Sequence, residues 1–196
     1  MSIHAYLSSG IFSRTHNLSN LLRKRRIKEV IYWYVLSNES GNDLGLLSTQ
    51  TALELLSWTC VTRKRRRFTG KEFKTWQASK KIRELLTIVG IDTAIPSCLK
   101  KMTEAQKRFR FEDGPHAFTE IRNEITHPEH RNKGNFNRLK YEAWNLGQWY
   151  LELILLWLMN LNTSFSCRLG FQRQGLLVQV PWINKKQNKK TCCRPQ

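Results

Sequence analysis

Six consecutive residues, Arg122-Asn123-Glu124-Ile125-Thr126-His127, followed by Pro128, bring together side-chain types that act on phosphodiesters. Arginine offers a planar fork of donors that matches phosphate oxygens and steadies the extra negative charge of a pentacoordinate transition state. Histidine titrates near neutrality and can give or take the proton that such a reaction moves. Asn123 carries both a donor and an acceptor, able to orient His127 or a substrate oxygen. Proline drives the residue before it out of the helical region, so a helix carrying Ile121 and Ile125 is predicted to end near Thr126, with His127 turned outward. On an unbroken helix, five residues at about 100° each would leave Arg122 and His127 roughly 140° apart. The break is what lets both face one phosphate. The same residues also fit a plainer arrangement, a surface arginine and a histidine capping helix carbonyls. A metal-dependent site built on His127, Glu129 and His130 lacks further ligands at suitable positions. No metal and no cofactor is therefore expected.

Charge points to the partner. Lys and Arg number 33 against 15 Asp and Glu, a formal charge of +18, far beyond what solubility requires. Seven Trp, nine Phe and a hydrophobic fraction of 40% supply a core, which separates this chain from a disordered basic tail. A polyanion such as RNA is the expected partner. Arg63, Lys64, Arg65, Arg66 and Arg67 are the run expected to track its phosphates, with Arg23 to Lys28 and Lys185 to Lys190 as further basic stretches. Glu54, inside the apolar run Leu53 to Leu56, must face solvent or meet a cation such as Arg122. A rim position is expected.

The elements that would hold these residues read as helices. Ile27, Val30, Ile31, Tyr34 and Val35 recur at helical spacing and stop at Ser40 to Asp43. Leu46, Leu53, Leu56 and Cys60 line a second helix that stops at Arg63 to Arg67. Ile82, Leu85, Leu86 and Val89 mark a third, closed by Gly90 at a C-cap position. Pro96 and Lys100 to Arg110 form a connector whose conformation periodicity leaves open. Asp113, Gly114 and Pro115 look like a helix start. Leu139, Ala143, Leu146, Tyr150, Leu153 and Trp157 form the longest stripe and mark the central helix. Leu176, Val178, Val180 and Trp182 alternate as in a strand but have no evident partner, so an extended arm is expected. The resulting fold class is all-α, an antiparallel bundle of four or five helices with an extended C-terminal arm. Residues 1–25 are expected to be a poorly ordered entry segment, 26–162 the bundle, 163–184 the arm, and 185–196 a disordered basic tail.

No apolar run of signal-peptide length opens the chain, and the cluster Arg23 to Arg26 follows its weak apolar stretch. Trp149 to Leu161 carries Glu152 and Asn160 and falls short of the roughly 20 residues of a membrane span. Cysteines at 60, 98, 167, 192 and 193 show neither metal spacing nor a secreted disulfide framework. A cytoplasmic protein with no membrane association is expected.

The pattern Arg, polar residue, His at the end of a helix, here RNEITH from Arg122 to His127, resembles the HEPN superfamily over approximately Ile27 to Leu161. That resemblance implies a bundle of four or five helices and a metal-independent ribonuclease whose paired motifs form a composite site across a homodimer. It implies that Arg122 stabilises the phosphate, that His127 is the general acid or base with Asn123 beside the arginine, and that the RNA 2′-hydroxyl is the nucleophile. Some members of the superfamily only bind, so a non-catalytic RNA-binding or interaction module is the second expectation. The basic excess and the C-terminal arm depart from the pattern.

Overall fold

A computed structural model describes residues 25–64, 68–127, 136–169 and 177–183, apart from the side chains of residues 25, 63 and 64. Seven α-helices lie among them: α1 (Arg25–Glu39), α2 (Asn42–Ser57), α3 (Gly70–Lys74), α4 (Ala78–Val89), α5 (Lys100–Phe109), α6 (Gly114–Thr126) and α7 (Lys140–Leu158). Between α2 and α3 the chain loosens into a π-helical segment, Trp58–Lys64. Two short strands follow α7: β1 (Ser164–Ser166) and β2 (Leu177–Gln179).

Local chemistry sets the helix limits. Thr69 and Glu72 form a reciprocal capping box at α3, each satisfying an amide at the start of the helix. Gly90 ends α4 at φ 84°, the left-handed conformation that glycine adopts without penalty. Asp113 caps α6 by accepting the His116 amide at 2.9 Å, with Pro115 in the first turn where its missing N–H costs nothing. These are the limits that the turn residues predict.

Five helices, α1, α2, α4, α6 and α7, make the bundle, with α3 and α5 beside it. Its core joins Tyr34, Leu53, Leu56, Ile82, Leu85, Phe118, Ile121 and Leu146, all essentially removed from water. Helix α7 is the central member, burying thirteen of its nineteen residues. Only a helix surrounded by others can be apolar on nearly every side. Burial of each large aliphatic or aromatic side chain contributes about 1.5–3 kcal/mol, so this one helix organises much of the fold.

Two expectations change. The connector after Pro96 contains α5, a full ten-residue helix whose Met102 and Ala105 are buried. The arm does find a partner strand: β2 pairs antiparallel with β1, in the register Ser164 to Gln179, Phe165 to Val178 and Ser166 to Leu177. Phe165 and Val180 join the core, so the hairpin is attached to the bundle and not merely laid along it. Cys98, between α4 and α5, is disulfide-bonded, a pairing that the cysteine spacing does not announce. No helix among the described residues is long and apolar enough to cross a membrane. The expected entry segment, residues 1–24 at least, and the tail from 185 onward lie outside the described residues.

Candidate functional site

Helix α6 positions the Arg122 segment, and its own placement is over-determined. Asp113 caps it and also receives the Arg83 guanidinium of α4 at 2.5 Å through Nε and 3.1 Å through Nη2. Glu112 takes Arg83 Nη2 at 2.9 Å. Attraction from Asp113 raises the Arg83 pKa and outweighs its partial burial, so the clamp between α4 and α6 stays charged. Near the other end of α6 the Glu124 carboxylate accepts the Phe136 amide at 3.2 and 3.3 Å. The chain leaves α6 at His127 and is drawn back beside it at Phe136.

The helix ends at Thr126, as predicted, and His127 has extended backbone, φ −122° and ψ 101°. Pro128, the residue held responsible, lies outside the described residues, as do Glu129 and His130. His127 is exposed. Arg122 is half-buried, with Nη1 donating to Asn123 Oδ1 at 3.1 Å and approaching Thr126 Oγ1 at 3.4 Å. Asn123 therefore orients the arginine. Its Oδ1 is committed to Arg122, where the sequence had offered His127 or substrate as the object. Arg122 Nε is buried without a hydrogen-bond partner. Burial lowers the pKa of this guanidinium while the nearby Glu54 opposes that effect.

Arg122 and Asn123 line a cleft of about 570 Å³ bounded by α2, the start of α4 and α6. Gln50 and Glu54 come from α2, Gln77 and Ser79 from the start of α4, and His116, Thr119 and Glu120 from α6. His127 is not among its lining residues. Glu54 is half-buried, accepts Gln50 Nε2 at 2.8 Å and approaches Lys81 at 3.5 Å. Its cation is Lys81, where the sequence had named Arg122 and favoured the rim. His116 Nδ1 accepts the Glu112 amide at 3.1 Å, which puts the proton of a neutral ring on Nε2.

Sequence reasoning missed His116, Glu120, Gln50 and Ser79. His116, Glu120 and Asn123 stand four and three residues apart, the spacing of one helix face, and that signal was available. The α2 and α4 contributions come from positions far away in the chain, and no local pattern announces them. Among the expected RNA-binding residues, Arg63 and Lys64 close the π-helical segment, while Arg65, Arg66 and Arg67 lie outside the described residues.

The YopA C-terminal domain family model matches residues 21–178. Among curated proteins the chain is similar to the SPbeta prophage-derived uncharacterized protein YopA of Bacillus subtilis (strain 168). The two are 31% identical over 157 residues, which cover 79% of this chain and 35% of that protein. The chain thus spans about a third of the length of the curated relative it matches. No solved structure matches it. With the matched segment running from before α1 through β2, the chain belongs to the YopA C-terminal domain family.

Proposed function

We propose that this chain is a metal-independent endoribonuclease acting as a homodimer, with Arg122, Asn123 and His127 at its site. The observation that carries the reading is the end of α6. There Asn123 fixes a half-buried arginine beside a cleft, and the helix stops so that an exposed histidine follows it directly. Arg122 stabilises the charge that builds on the phosphoryl oxygens, and His127 moves the proton of the attacking 2′-hydroxyl or of the leaving 5′-oxygen. Balance requires that the O2′–P bond form as the P–O5′ bond breaks. The products are a 2′,3′-cyclic phosphate and a 5′-hydroxyl. Two copies of the segment across a two-fold axis would supply an acid and a base, as the HEPN resemblance implies, and sedimentation should show a species near twice 23.2 kDa.

A second reading, a non-catalytic RNA-binding module, is favoured by one observation: His127 does not line the cleft that Arg122 and Asn123 line. RNA incubated in chelator separates the two. Catalysis predicts cyclic-phosphate ends with the native chain and cleavage lower by about a hundredfold or more for His127→Ala and for Arg122→Ala, with helical content and dimer mass retained. Intact RNA throughout, or full activity in both variants, leaves the binding module standing and removes the enzyme.

A further inference from the structure

The cleft beside Arg122 is polar in an unusual way for so basic a chain. Its volume, about 570 Å³, lies in the range of roughly 300–1,000 Å³ typical of small-molecule sites. Two carboxylates, Glu54 and Glu120, face a recess in a molecule of net charge +18. Glu54 is matched by Lys81 and Gln50, whereas Glu120 has no ion-pair partner among the described residues. A phosphate seated there would meet like charge, so the recess suits an uncharged group.

Gln50 says which kind of group. It is only 2% exposed, and its amide orientation is fixed because a carboxylate only accepts, so the nitrogen must face Glu54. Its Oε1 is consequently an acceptor, buried, with no hydrogen-bond partner. Such an atom carries a desolvation penalty until a donor reaches it. Across the same cleft Arg122 Nε is a buried donor with no acceptor. The site holds unspent acceptors in Gln50 Oε1 and the Glu120 carboxylate, and an unspent donor on Arg122.

We infer that the cleft is a nucleobase pocket selective for guanine, seating one base of a bound RNA next to the phosphate that Arg122 holds. Guanine presents two adjacent donors, N1–H and the 2-amino group, with the O6 acceptor beside them. A carboxylate accepts both donors at once, in the fork geometry that makes charge-assisted pairs strong. Adenine and cytosine present one donor next to an acceptor, and uracil a single N–H between two carbonyls. None of these can use both Gln50 Oε1 and Glu120 without facing acceptor to acceptor. The inference takes its substrate from the ribonuclease reading, and the two fail separately because base binding is read at equilibrium without cleavage.

The test is calorimetric titration of the full chain with the four nucleoside 5′-monophosphates. GMP should bind at least about tenfold more tightly than AMP, CMP or UMP, the effect of losing one hydrogen bond to a charged group. Glu120→Gln, at a half-buried position that packing tolerates, should abolish that preference, and Gln50→Leu should weaken GMP binding while a helical spectrum confirms folding. Oligouridylate with one guanosine, compared with the same oligomer without it, distinguishes an RNA base from a free nucleotide. Preference for the guanosine oligomer supports the inference. Equal affinity for the four monophosphates, an unchanged preference in Glu120→Gln, or GMP binding without any preference between the two oligomers overturns it.

Discussion

Arg168 shows at the scale of one residue how the molecule handles buried charge away from the candidate site. It follows β1, donates from Nε and Nη2 to Glu152 Oε1 at 3.0 and 2.7 Å, and from Nη2 to Asn38 at 2.8 Å. Tyr34 Oη adds a third donor to the same carboxylate oxygen at 3.1 Å. Burial works against the Arg168 charge, yet the attraction of Glu152 holds its pKa above the ordinary range. Burial, and then the adjacent Glu152, hold the Tyr34 phenol above its own ordinary range, so it stays a donor. Removing the arginine alone leaves a buried carboxylate short of partners. Arg168→Met should therefore cost about 3–5 kcal/mol in urea unfolding, whereas the double change with Glu152→Leu should recover most of that loss. A single variant as stable as the native chain would show that the pair is open to water. Arg122 contrasts with Arg168: its Nε has no partner, and an orphaned donor beside a cleft is what a ligand site leaves behind.

At the scale of elements, the geometry of the site depends on how closely α7 lets α2 and α6 approach. Gly147 makes this possible, since a Cβ there would lie 2.5 Å from Phe118 Cε2 and 2.9 Å from Thr49 Cγ2. Gly147→Ala should destabilise the chain by about 1–3 kcal/mol, the usual cost of overpacking, read as a lower denaturation midpoint with an unchanged slope. An unshifted midpoint would mean that the helices can part at no cost. Much of this scale was legible in the chain itself. Asp113-Gly114-Pro115 and Gly90 act through local hydrogen bonds and backbone conformation, so their meaning travels with the residues. Helix α5 was harder to read because only Met102 and Ala105 of its ten residues are buried, a stripe too thin to show periodicity. Strand β1 is three residues long and gains its identity only by pairing with β2. The cleft was not legible, because Gln50, Ser79 and His116 meet only once α2, α4 and α6 have packed.

For the whole molecule, the excess of 33 basic over 15 acidic residues should make association with RNA steeply salt-dependent, since each neutralised phosphate releases counterions. Charge brings the strand to the surface, and the end of α6 is then the place where it is cut. That division of labour lets binding and chemistry be separated in one substrate. An RNA with a single 2′-deoxy sugar at the cleaved position keeps every phosphate and loses only the internal nucleophile. Incubated with the full chain in chelator beside its all-ribose twin, it should bind equally well, with the same response to salt, and remain uncut while the twin yields a 2′,3′-cyclic phosphate. Cleavage of the deoxy-substituted strand at that position would contradict the account, because water or a metal-bound hydroxide would then be the nucleophile.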